Sequence, residues 1–214
     1  MKRETSDLHG NAPDNSLVAL LLVDVINDFD FPGGAQLLRH ALPAAKRIVA
    51  LKERCRRDGI PAIYVNDNFG KWRSDFRSLV SHCLKKDMRG QRVVKLLKPE
   101  RDDYFVLKPK HSGFYSTTLD LLLQYLGAKT LILTGFTGDI CILFTANDAF
   151  VRDYRLVIPS DCVVSKDSTE NQKALKYMKR VVDADIHTSE KLDLSGLIAR
   201  KKGNRTRPRS PRGS

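Results

Sequence analysis

Cys141 is the residue in this chain best placed to act as a nucleophile. It follows the apolar run Thr130-Leu-Ile-Leu-Thr134, after the connection Gly-Phe-Thr-Gly-Asp-Ile, and opens a segment of helical character. A thiol at a helix N-terminus meets the positive end of the macrodipole and unpaired N–H groups. These favour the thiolate and leave donors for a developing oxyanion. Two other ionisable residues end apolar runs in the same way. Asp24 closes Leu17-Val-Ala-Leu-Leu-Leu-Val23, and Lys108 closes Tyr104-Phe-Val-Leu107. Taken singly, each has an ordinary reading: a thiol buried as a small hydrophobe, a helix-capping carboxylate, a surface lysine. Taken together, they are the acid, ammonium and thiol that covalent attack on a carbonyl needs.

Such residues meet only if the strands they end lie side by side. Short apolar runs alternate with longer amphipathic stretches, the pattern of βα units around a mainly parallel sheet. Strands are predicted at 18–23, 62–66, 104–107, 130–134, 155–158 and, more weakly, 185–188. Helices are predicted at 43–58, 117–126, 141–152 and 168–182. Gly59 and Gly127 stop the first two. The fold class expected is α/β, a three-layer sandwich with a central six-stranded sheet and helices on both faces. Right-handed crossovers then put any ligand site along the carboxyl edge of the strands.

Composition sets the remaining bounds. With 214 residues and 42% hydrophobic content, the chain can bury one large core. The expected organisation is a flexible segment at 1–15, one domain at 16–199 and a disordered basic tail at 200–214. Cys55, Cys83, Cys141 and Cys162 form no Cys-x-x-Cys pair, and no secretory leader is evident, which predicts free thiols in a reducing cytoplasm. The longest apolar run, Leu17 to Val23, is far shorter than the roughly 20 residues a membrane span requires, so no membrane partner is expected. The net charge is +12, but seven basic and no acidic residues fall in 200–214, leaving 30 basic against 25 acidic elsewhere. That tail could bind polyanions or simply solubilise. With no base-reading motif and no aromatic platform among the basic residues, specific nucleic-acid binding is not expected. A serine nucleophile built on His111-Ser112 is also disfavoured, because adjacent residues on an extended strand face opposite sides.

Three segments together resemble the isochorismatase-like hydrolase superfamily, the cysteine hydrolases that include nicotinamidases and carbamoylsarcosine amidases. They are Leu-Leu-Val-Asp24-Val-Ile-Asn-Asp28-Phe29, Leu107-Lys108-Pro-Lys-His-Ser112-Gly-Phe114, and Gly135-Phe-Thr-Gly-Asp-Ile-Cys141 with Thr145-Ala-Asn-Asp148-Ala149. The resemblance covers about residues 16 to 190. It implies a catalytic triad of Asp24, Lys108 and Cys141. It also implies a cis peptide at Phe136-Thr137 and an oxyanion hole from the N–H groups of Thr137 and Cys141. Lys108 should hold the Cys141 thiolate near neutral pH. The function implied is cleavage of a C–N bond in a small amide or ureido substrate through a thioester, without a cofactor. Relatives commonly form dimers or tetramers, so a homo-oligomer is expected.

The departures bear on the substrate. Metal-dependent nicotinamidases carry an Asp-x-His pair where this chain has Asp67-Asn68-Phe69. One carboxylate without an imidazole offers a divalent transition metal too few ligands, so no metal is expected. Ile26 stands where a Gln is usual, and Gly113 where an Ala is common. Phe29, Asn68, Trp72 and Phe136 are candidate pocket residues. Two other readings remain: a vinyl-ether hydrolase of the isochorismatase type, which would use the acid without the thiol, and a non-catalytic oligomeric scaffold docked by the basic tail.

Overall fold

The structure, a computed structural model, describes residues 15–68 and 75–199. The N-terminal 1–14, the basic tail at 200–214, Phe69 and Trp72 lie outside the described residues. Five strands form the body of one sheet: β1 (Val18–Val23), β2 (Ala62–Asp67), β3 (Tyr104–Lys108), β4 (Thr130–Phe136) and β5 (Arg155–Val157). Their order is β3-β2-β1-β4-β5. A sixth, β6 (Val163–Val164), pairs with the end of β4, and every pairing is parallel. The α/β sandwich expected from the pattern is therefore the fold observed.

Helices cover both faces. α1 (Gly34–Arg57), α2 (Phe76–Cys83), α3 (Gln91–Leu96) and α7 (Leu194–Ala199) pack on one face with Leu20, Leu22, Tyr64 and Ile132. α4 (Leu119–Leu126), α5 (Leu143–Phe150) and α6 (Ser168–Val181) pack on the other with Leu21, Val65, Leu131 and Leu133. β1 lies at the centre, and all six of its residues are fully buried. That is why it reads as an unbroken apolar run rather than an alternating one. Among the described residues no helix is long and apolar enough to cross a membrane.

Four details depart from expectation. α1 starts at Gly34, nine residues before Pro43, which sits inside it. Leu37 and Ala41 extend the apolar face upstream, and Pro43 lies on the exposed side, where water can serve the carbonyl that its missing N–H would have bonded. The weak strand at 185–188 reduces to one bridge, Val157 to Asp185. The sixth strand is instead β6, whose two residues are too few to show a period. The short helices α2, α3 and α7 were not expected at all.

The buried thiols shape the response to alkali. Burial pushes the Cys55 thiol up from 9.0 to about 12, against the pull of Arg54. The folded protein then keeps a proton that the unfolded chain releases near 9.0. Stability from this group is intact below that pH and is lost as pH rises towards 12. At about 1.4 kcal/mol per pH unit, one thiol removes about 1.4 kcal/mol by pH 10. Urea unfolding at pH 8 and pH 10 should show a slope at least this large, and Cys55→Ala should reduce it by this one thiol's share.

Candidate active site

The chain runs β1, β2, β3 outward in one direction and then returns to place β4 on the other side of β1. That reversal opens a crevice between the carboxyl ends of β1 and β4. Asp24 is the first residue past β1. Its φ of 52° turns the chain sharply, and its N–H donates to the Val65 carbonyl at 3.0 Å. Lys108 is the last residue of β3, and the β2–β3 register sets it opposite Asp67.

The Lys108 ammonium organises the site. It is fully buried and stands 2.9 Å from Asp24 Oδ2 and 3.7 Å from Asp67 Oδ2. It donates to Cys141 Sγ at 3.6 Å. The second Asp24 oxygen, Oδ1, accepts the Asp67 N–H at 2.7 Å. The structure thus gathers the three residues singled out in the sequence. It adds Asp67, which was read only as half of an incomplete metal pair. The signal for Asp67 was present, since it ends β2 as Lys108 ends β3.

Cys141 is carried by a π-helical turn, Gly138–Ile142, that joins β4 to α5. The Phe136–Thr137 peptide before it is cis. The Ile142 N–H reaches back to the Thr137 carbonyl at 3.1 Å, closing the wider ring of a π turn. Gly138 leaves no room for a side chain, because a Cβ there would lie 2.1 Å from Asn171 Oδ1. Ser165 Oγ accepts the Asp139 N–H at 3.1 Å and donates to its carboxylate at 2.7 Å. Of the four cysteines only Cys141 is half-buried; Cys55, Cys83 and Cys162 are buried.

The electrostatics correct one expectation. Burial, then the Asp24 carboxylate, pushes the Cys141 thiol well up, and Lys108 only partly offsets them. Burial likewise raises the Asp24 carboxyl, against Lys108, the thiol and the Asp67 N–H. Burial also works against the Lys108 ammonium, but Asp24, Cys141 and Asp67 outweigh it and its pKa rises. Burial thus works against the preformed thiolate read from the helix terminus and the lysine, as it works against the Asp24 carboxylate. Asp24 and Cys141 titrate as one unit beside a fixed positive charge.

The remaining candidates separate. Phe29 and Phe136 are fully buried on the α1 face, their rings 6.0 Å apart. Asn68 is half-buried and its N–H donates to the Lys108 carbonyl at 3.1 Å. Ser112 is buried, and its hydroxyl donates to Asp148 at 2.5 Å, while the His111 ring packs 5.5 Å from that of Phe144. Among the described residues no three His, Cys, Asp or Glu side chains cluster as a metal site would need.

An α/β crevice holding a buried carboxylate–ammonium–thiol cluster describes a class of hydrolase fold, and comparison with known proteins narrows it. A family model described as the isochorismatase domain matches residues 18–190. The chain belongs to the isochorismatase-like hydrolases, within the cysteine hydrolase superfamily. It is 41% identical over 174 residues to the uncharacterized isochorismatase family protein YaaI of Bacillus subtilis (strain 168), covering 81% of this chain and 95% of that one. It is 28% identical over 203 residues to the ureidoacrylate amidohydrolase RutB of Methylobacterium radiotolerans, covering 83% of this chain and 76% of that protein. The crystal structure of N-carbamoylsarcosine amidase from Thermoplasma acidophilum superposes with a TM-score of 0.63 at 29% identity, covering 82% of this chain and 98% of that one.

Proposed function

We propose that the protein is a cysteine hydrolase that cleaves a C–N bond in a small carboxamide or ureido substrate, with Asp24, Lys108 and Cys141 as its triad. The observation that carries this is the Lys108 ammonium held 2.9 Å from the Asp24 carboxylate and 3.6 Å from the one half-buried thiol. The names of the similar amidase and amidohydrolase support the substrate class.

The electrostatics shape the mechanism. A neutral thiol beside a carboxylate loses its proton to Asp24 as the sulfur attacks, so the site keeps one negative charge against Lys108 throughout. The C–S bond forms, and the carbonyl oxygen becomes an oxyanion next to the N–H groups of Thr137 and Cys141. Asp24 then returns the proton to the nitrogen, the C–N bond breaks, and ammonia or an amine leaves. Water, deprotonated by Asp24, attacks the thioester. The acid is released as the C–S bond breaks and the sulfur takes back its proton.

Iodoacetamide labelling distinguishes a base from a bystander. Cys141 should be alkylated ahead of Cys55, Cys83 and Cys162, and Asp24→Asn should slow that reaction. If Asp24 acted only as a neighbouring negative charge, removing it would lower the thiol's pKa and speed alkylation. That result, or equal labelling of all four thiols, would overturn the proposal. A panel of primary amides, N-carbamoyl compounds and isochorismate, read by ammonia or pyruvate release, then assigns the substrate. Pyruvate release that survives Cys141→Ala would favour the vinyl-ether chemistry instead.

A further inference from the structure

The geometry points to Thr145, backed by Ser112 and Asp148, as a positioning clamp that fixes the Cys141 sulfur relative to the Lys108 ammonium. This inference rests on the proposed triad. The motif segments after Lys108 and Cys141 contain residues for which that mechanism has no use, and the structure joins them to each other.

Thr145 is fully buried on the first turn of α5. Its hydroxyl donates to the Cys141 carbonyl at 2.7 Å. Back-bonding of this kind is common for a helical threonine. Here the same oxygen also accepts the Gly113 N–H at 3.0 Å, so one hydroxyl bridges the nucleophile's own carbonyl to the loop that leaves Lys108. Gly113 is held at its other end too, since Thr117 Oγ1 donates to its carbonyl at 2.6 Å. A side chain at Gly113 would crowd this seam, because a Cβ would stand 2.9 Å from Val65 Cγ1 and 3.1 Å from Leu119 Cδ2. Those contacts are with β2 and α4, whereas Thr145 Cγ2 on α5 would stand at an ordinary 3.5 Å.

A second hydroxyl repeats the arrangement one turn along. Ser112 Oγ accepts the Phe114 N–H at 3.1 Å and donates to Asp148 Oδ2 at 2.5 Å. Arg152 donates to the Asp148 carbonyl at 2.8 Å, and its guanidinium lies over the Phe114 ring at 4.8 Å. The loop after β3 is thus tied to α5 at two heights, by side chains whose donor and acceptor positions are both used. Lys108 ends the strand before that loop, and Cys141 sits in the turn before that helix. The Nζ–Sγ separation therefore depends on how loop and helix are joined. Attack and proton transfer tolerate little slack, since a misplacement of about 1 Å can cost about a hundredfold.

The test is Thr145→Val, which keeps shape and removes the hydroxyl, read by the rate and pH dependence of Cys141 alkylation with iodoacetamide. The rate at pH 7.5 should fall by about tenfold or more, and the profile should move to higher pH as the thiol loses the aid of Lys108 and Asp24. Thr145→Ser should restore both. Ser189→Ala serves as the control. It deletes another buried hydroxyl, bonded to Asp161 at 2.8 Å in the 3-10 turn Ser189–Lys191 that packs on α1, and should leave rate and profile at their wild-type values. Should Thr145→Val fold poorly, Ser112→Ala gives the same reading with less disturbance to packing. Hydrogen exchange at the Gly113 amide reports the clamp without reference to reactivity, and its protection should drop in Thr145→Val. Wild-type rate, profile and Gly113 protection in both variants would overturn the clamp while leaving the triad standing. An equal slowing in Ser189→Ala would overturn it too. A wild-type Cys141 no more reactive than the buried thiols would instead remove the triad reading, and the clamp with it.

Discussion

Replacing Lys108 with methionine is expected to do the most damage for the fewest atoms changed. The ammonium is fully buried and faces Asp24, Asp67 and Cys141. Methionine fills similar space but takes the counter-charge away from the buried Asp24 carboxylate. Breaking a buried pair by removing one partner typically costs about 3–5 kcal/mol. The cost should depend on pH in a definite direction. Burial already raises the Asp24 carboxyl, and Lys108 is the largest influence holding it down. Without Lys108, Asp24 takes up a proton more readily in the folded state than in the unfolded chain. Stability is then retained below the ordinary carboxylate range and lost as pH rises through the higher folded value. Urea unfolding should show Lys108→Met much weaker than wild type at pH 8 and closer to it at pH 5. Cys141 alkylation and substrate turnover should fall together at neutral pH. A variant with wild-type stability at pH 8 and wild-type alkylation would show that Lys108 is not the counter-ion of this site.

Gly135→Ala should come second, and through the backbone rather than through charge. Gly135 lies near the end of β4 with φ of 120°, in a region L side chains rarely occupy. It pairs with Val23 on one side and Val163 on the other, and its N–H donates to the Cys162 carbonyl at 2.9 Å. An added Cβ would stand 2.0 Å from the Val23 carbonyl oxygen and 2.9 Å from the Val23 nitrogen. These are backbone atoms of the central strand, one residue before Asp24, and they cannot swing aside as a side-chain tip would. Unfavourable φ costs about 1–3 kcal/mol, and forced overlap a further 1–3 kcal/mol. The sum, about 2–6 kcal/mol, is a large part of a typical folding free energy of about 5–15 kcal/mol. The urea midpoint should drop accordingly, and Cys141 alkylation should slow because β1 and β4 carry both walls of the crevice. A midpoint close to wild type would mean that the sheet yields more easily than this geometry implies.

The proposed triad was legible because parallel strands buried on both faces read as bare apolar runs, and a polar residue at the end of such a run stands out. Asp24, Lys108 and Cys141 all follow that rule. Asp67 follows it too, yet the familiar Asp-x-His spacing around it drew attention to a missing metal instead of to Lys108. The role of Thr145 lay out of reach, since its partner is the backbone N–H of Gly113, and no side-chain pattern announces a backbone donor. The burial acting on the Cys141 thiol was missed for a related reason. Helix terminus and lysine are visible in sequence and both favour thiolate, whereas the burial that outweighs them comes from the whole fold. Pro43 misled because a helix can absorb a proline on its wet face when the opposite face has enough apolar surface to bury.

The central position of β1 has a consequence for how the chain comes together. Val18–Val23 is flanked by β2, whose pairing with it begins at Ala62, and by β4, whose pairing begins at Thr130. Between the end of β1 at Val23 and the start of that second pairing at Thr130 lie 106 residues, about half of the 214 in the sequence. Contacts so distant along the chain assemble slowly and leave sticky surface uncovered meanwhile. The yield of native protein on refolding from denaturant is therefore expected to fall with rising protein concentration and temperature more steeply than its finished stability would suggest.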